Sequence, residues 1–100
     1  MPQPAKSFIA TLRSRPESRE RLIALQAELK ALVAEHEPDV WVYELFQSDD
    51  DSDLFHCIAT FKDQAAFDKH MSIDFHERLV PPIIECLAEE MNLKFFKSHS

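Results

Sequence analysis

This chain of 100 residues contains no glycine. Every turn must therefore be made without the residue that most easily adopts positive φ. Asparagine occurs once, at Asn92, so Asp, Ser and Pro have to shape the loops. The same absence removes whole classes of site. Glycine-rich loops that cradle phosphate, in the P-loop and in the dinucleotide fingerprint, cannot be built.

The length bounds one domain, with a core region from about residue 7 to residue 97. A chain this size buries roughly 60–70% of the surface its unfolded form exposes, enough for one modest core. The net charge of −7 argues against nucleic acid or an anionic membrane as partner, since both need clustered Lys and Arg. No apolar run approaches the ~20 residues that span a bilayer. Met1-Pro2-Gln3-Pro4 lacks the basic head and apolar stretch of a signal peptide, which points to the cytoplasm. Cys57 and Cys86 show no C-x-x-C spacing and read as free thiols.

Hydrophobic periodicity predicts the elements. Phe8, Ala10 and Leu12 alternate with Ile9 and Thr11, a strand over Ser7 to Arg13. Ser14 and Glu17 fit a capping box that opens a long helix. Its apolar face is Leu22, Leu25, Leu29, Leu32, Val33 and His36, and Arg19, Glu20, Lys30 and Glu37 lie opposite. The second strand, Val40 to Gln47, places Trp41, Tyr43 and Leu45 on one face and Val42, Glu44 and Phe46 on the other. A solvated loop leads to a third strand, Leu54 to Phe61. Asp63 is a good N-cap for a helix over Gln64 to Met71. A further helix from Asp74 is expected to break at Pro81-Pro82, with a second piece reaching about Glu90. Asn92 to Lys97 is the last strand. The order predicts an α+β, ferredoxin-like split βαβ fold with a four-stranded antiparallel sheet. Strands two and three are apolar on both faces, so a homodimer packed sheet to sheet is expected to cover the second face.

The segment Phe61-Lys62-Asp63 through Phe67, His70, Met71 and His76 runs strand, aromatic, turn, aromatic-x-x-His, then a second His. It resembles the antibiotic biosynthesis monooxygenase domain, and the resemblance extends from about Phe8 to Lys97. That resemblance implies a dimeric α/β-barrel and a cofactor-independent monooxygenase acting on a small aromatic, quinol or polyketide-type compound. It implies His70 and His76 as catalytic acid–base groups beside a cavity. It implies Trp41, Tyr43, Cys57, Phe61 and Phe67 as the wall that holds the substrate. No flavin, haem or metal is implied.

Departures from the family pattern bear on activity. Cys57, Phe61 and Phe67 stand where antibiotic-oxidising relatives carry polar or hydrogen-bonding groups, and Ala59 where many carry Glu. The haem-degrading branch has an Asn on the first strand, which is absent here, and a Trp where His70 stands. Asp49-x-Asp51-x-Asp53 mimics the start of a calcium loop, but Leu54 and Thr60 occupy its required Gly and Glu places. The residues by themselves also allow blander roles, with His70 capping helix carbonyls, His76 half-exposed, and the phenylalanines as plain core. Two alternatives to the monooxygenase follow: a non-catalytic dimeric module binding a small ligand, and a non-oxidative isomerase of the same fold.

Overall fold

Alternation along the chain builds the sheet, and the sheet decides where the core lies. The computed structural model describes residues 4–99; residues 1–3, part of the segment read for a leader, and residue 100 lie outside the described residues. The elements are β1 (Ala5–Arg13), a 3₁₀ turn (Pro16–Ser18), α1 (Arg19–His36), β2 (Val40–Gln47), β3 (Leu54–Phe61), α2 (Gln64–Ser72), α3 (Asp74–Glu85) and β4 (Asn92–Ser98). The four strands pair antiparallel in the order β2-β3-β1-β4. This is the ferredoxin-like split βαβ arrangement expected from the element order.

Phe8, Ala10 and Leu12 of β1 face the same side as Phe55, Cys57, Ala59 and Phe61 of β3, and all are buried. The helices cover that side with Leu22, Leu29 and Val33 of α1 and Phe75, Leu79 and Ile83 of α3. One continuous core results. The molecule is only 20 Å across its shortest extent, as one sheet and one helix layer require. On the other sheet face, Val42, Phe46 and Phe96 are exposed, and Phe46 is 50% accessible. Ser7 and Thr60 share a 2.8 Å hydroxyl bond there, and Ile9 lies opposite Ile58.

Several local expectations are corrected. Ser14 does not cap a helix. It continues the sheet as a bridge to Leu87, with its N–H donated to Asp53 O at 2.8 Å. The chain then enters a 3₁₀ turn with Pro16 near its start, so α1 begins only at Arg19. In β2 the register shifts between Val40 and Val42. Trp41 is the extra residue of this bulge, so Val40, not Trp41, shares the core-facing side with Tyr43 and Leu45. Helix α3 runs unbroken through Pro81 and Pro82 and ends at Glu85. The carbonyls that lose their partners belong to the exposed Glu77 and Arg78, where water can replace the missing donors. The burial of Phe75, Leu79 and Ile83 holds the helix together across the gap.

The turns are shaped by side chains. Between β2 and β3, Asp51 Oδ1 accepts from Asp53 N at 3.0 Å and Ser48 Oγ accepts from Asp50 N at 3.2 Å. Arg13 holds Asp51 and Arg19 holds Asp53, each at 2.8 Å. The acidic loop is therefore pinned to β1 and α1, not merely solvated. Asp63 caps α2 as expected, its carboxylate accepting from Ala66 N at 2.9 Å. No described residue has positive φ.

The core and the surface should respond differently to truncation. Leu22 is fully buried, so Leu22→Ala should cost about 2–5 kcal/mol in urea unfolding. Arg21 makes only a 3.7 Å exposed pair with Glu85, so Arg21→Ala should stay within about 0.5 kcal/mol. Equal losses would contradict this placement of the core.

Candidate active site

The break between α2 and α3 creates the site. Ile73 is extended, with φ −73° and ψ 145°, and serves as the C-cap of one helix and the N-cap of the next. Ser72 Oγ donates to Asp68 O at 3.2 Å, closing α2, and Asp74 Oδ1 accepts from Phe75 N at 2.7 Å, opening α3. The chain turns sharply at one residue. His70, in the last turn of α2, and His76, in the first turn of α3, are thereby brought together with ring centroids 4.5 Å apart and planes at 66°. Both line a cavity of about 100 Å³ between the sheet and the helices.

The floor of that cavity is Phe8, Ala10 and Leu12 of β1, and its helix side includes Leu29 and Ile83. Met71, Ile84 and Leu93, all exposed, stand at its mouth. Among the described residues that line it, Gln26, Tyr43, Cys57, His70 and His76 bring the polar side chains, gathered on part of an otherwise apolar wall.

His70 does not cap helix carbonyls. Its ring is 1% accessible and packs against Phe61 at 5.2 Å and Tyr43 at 5.7 Å. Its Nδ1 lies 3.0 Å from Oε2 of Glu37. A carboxylate oxygen accepts, and Nδ1 is the ring atom that faces it. Glu37 is not on the polar face of α1 as its helical position suggested. It is the C-cap residue, where the backbone leaves helical geometry (φ −126°, ψ 78°), and its side chain is 2% accessible. Its second oxygen, Oε1, is buried with no hydrogen-bond partner among the described residues. Sequence periodicity missed it because a C-cap residue no longer follows the helical face. The available signal was an acidic residue directly before Pro38 at the helix end.

Burial and the neighbouring His70 push His76 down to about 4, so it is neutral at pH 7. Burial raises Tyr43 well above its usual range, with Cys57 and Glu37 adding to the effect. Burial also pushes the Cys57 thiol up to about 11, which leaves it unreactive near neutrality. The Tyr43 hydroxyl reaches Gln26 Oε1 at 3.5 Å, the outer limit of a hydrogen bond.

Of the residues singled out from sequence, His70, His76, Tyr43, Cys57 and Phe67 meet at the cavity. Trp41 does not reach it; the bulge leaves it 59% exposed. Phe61 lies behind the wall, fully buried between Phe8, Phe67 and His70. Gln26 and Met71 line the cavity without having been picked out. Among the described residues, no group of three or more His, Cys, Asp or Glu is arranged to hold a metal ion. No described helix is long and apolar enough to cross a membrane.

Comparison with known proteins gives a consistent result. The sequence model of the family described as antibiotic biosynthesis monooxygenase matches residues 7–80. No curated protein matches the sequence. The fold is similar to a crystal structure of an antibiotic biosynthesis monooxygenase, at 26% identity and TM-score 0.85, covering 95% of this chain and 99% of that one. It is similar to a Shewanella oneidensis protein at 26% identity and TM-score 0.84, covering 96% and 92% of the two chains. A conserved protein from Methanosarcina mazei Go1 matches with TM-score 0.90 at 20% identity, covering 97% and 95%.

The neutral state of His76 has a consequence for stability. Unfolded, His76 binds a proton near its ordinary value of about 6.5; folded, it waits until about 4. The unfolded chain therefore holds more protons as pH falls, and stability is lost through that window while remaining full above it. Because His76 is only partly buried, the effect is discounted to roughly 1–2 kcal/mol. Unfolding curves from pH 7 to pH 4 should fall more steeply for wild type than for His76→Gln; parallel curves would show that burial of His76 has no such effect.

Proposed function

This chain belongs to the antibiotic biosynthesis monooxygenase family, and from that premise we propose that it is a cofactor-independent oxygenase acting on a small phenol or quinol. The observation that carries the reading is the meeting of two imidazoles, one of them held by a buried carboxylate, in an otherwise apolar cavity. Size favours a single ring over a polyketide. A cavity of about 150 Å³ holds benzene, so the ~100 Å³ here takes one ring only if Met71 or Ile84 at the mouth swings aside.

The polar corner sets the orientation. The substrate hydroxyl lies toward His70 and His76, and its carbon framework lies against Phe8, Leu29 and Phe67. His70 accepts the hydroxyl proton, while His76, pushed down to about 4 and too weak a base for that step, orients the hydroxyl, and an electron-rich phenolate remains. The phenolate gives one electron to O₂, and the resulting radical and superoxide join to form a C–O bond. Loss of the ring C–H proton with cleavage of the O–O bond gives a carbonyl, and the released hydroxide takes a proton to become water. For a hydroquinone the sum is C₆H₆O₂ + O₂ → C₆H₄O₃ + H₂O, with the substrate supplying all four electrons. The dry wall suits this chemistry because it shields the radical pair from water. The reading includes a homodimer through the outer sheet face, supported by the exposure of Val42, Phe46 and Phe96.

The apolar character of Cys57, Phe67 and Ala59 favours a second reading, a non-catalytic module that binds a small aromatic compound. Oxygen uptake with a panel of monocyclic hydroquinones separates the two. The oxygenase reading expects uptake, and His76→Ala, which removes a group orienting the hydroxyl, should lower turnover by about 10²-fold. His70→Ala is a poor probe, because it would leave the Glu37 charge buried and unpaired at a cost of about 3–5 kcal/mol; His70→Gln is the better variant and should show a similar loss. Ligand binding without uptake would establish the second reading. Light scattering should give twice the chain mass, and a monomer at micromolar concentration would remove the dimer.

A further inference from the structure

We infer that Glu37 is a positioning residue, which holds His70 in the Nδ1–H tautomer so that Nε2 is the proton acceptor offered to the substrate. This rests on the oxygenase reading for its chemistry, though not for its geometry. The His70–Glu37 contact is 3.0 Å and almost fully removed from water. Both partners are held on more than one side. The Glu37 N–H donates to Val33 O at 2.9 Å and its carbonyl accepts from Val40 N at 3.1 Å, which fixes the carboxylate's origin between α1 and β2. The His70 ring is boxed by Phe61, Tyr43 and His76, so a ring flip would have to displace all three.

The tautomer follows from what each atom can do. A lone pair on Nδ1 facing the carboxylate would set two acceptors against each other in a dry site, while an Nδ1–H satisfies both. Among the described residues, His70 is the one side chain that hydrogen-bonds the Glu37 carboxylate. A buried carboxylate at 3.0 Å stabilises the imidazolium that forms when His70 takes a proton, as the buried acid of a hydrolase triad does for its histidine. Glu37 does not line the cavity, so it acts on substrate only through His70.

A purely structural pair would make the same contact, so the test must read tautomer and rate together. In Glu37→Gln the amide can accept from Nδ1–H or donate to a bare Nδ1, and the shape of the site is kept. Long-range ¹H–¹⁵N spectra of the histidine rings should show His70 as Nδ1–H in wild type and as a mixture of tautomers in Glu37→Gln. With a monocyclic hydroquinone, Glu37→Gln should lower kcat by roughly 10–10²-fold with KM little changed. A wild-type His70 protonated on Nε2 would overturn the assignment, and that spectrum decides even if the variant fails to fold. An unchanged tautomer with unchanged kcat in Glu37→Gln would overturn it as well. If the tautomer shifts but neither protein takes up oxygen, the oxygenase reading falls and the control of His70 by Glu37 stands.

Discussion

The hydrogen bond between Glu37 and His70 joins the two halves of this fold. Glu37 ends the first βαβ helix, and His70 ends the helix that follows the third strand. The pair meets in a region with almost no water, where each group is expensive to bury alone. A packing in which α2 slid along the sheet by one turn would separate them and strand a charge. The contact therefore acts against misregistered packing more than it adds to net stability. It also fixes the wall from which His70 reaches the cavity, and with it the chemistry that the cavity can host.

Strands β1 and β3 were legible because their periods are plain, whereas α1 buries polar Gln26 with Leu22, Leu29 and Val33 and leaves His36, placed on its apolar face, exposed. Phe8-Ala10-Leu12 and Phe55-Cys57-Ala59-Phe61 alternate without interruption, and both sets are buried as that alternation requires. Where a period is interrupted, the pattern no longer gives the buried face. The bulge at Trp41 inserts one residue and moves the indole off the core face, and nothing in Val40-Trp41-Val42 announces an insertion. The two prolines do remove helix donors, but α3 tolerates the loss because its buried stripe is continuous on the other side. Ser14 matched a local capping pattern, but pairing with Leu87 and Asp53, distant in sequence, took precedence over it.

The site was legible in its histidines and illegible in what supports them. His70 and His76 can be picked out as residue types, and the helix break between them is visible in sequence. Their ring contact depends on the extended conformation of Ile73 and on a carboxylate from another helix. Glu37 is charged and ends a helix before a proline, a position whose side-chain direction the helical period does not give. Its burial is set by the tertiary arrangement alone. Family membership accounts for the fold, while the apolar wall and the small cavity volume are properties of this chain.

The absence of glycine bears on the unfolded chain as well as on the folded one. An average domain of this length has about seven glycines, each widening the range of conformations that folding must collapse. Here the turns are set by Asp51, Ser48 and Asp63 side chains, and every described residue keeps negative φ. The disordered ensemble is correspondingly narrower. At about 0.4–1 kcal/mol for each position where a substituted residue fits without strain, the effect amounts to a few kcal/mol. That is a sizeable share of the margin on which a single small core depends, and it comes from states in which none of the contacts of the folded protein exist.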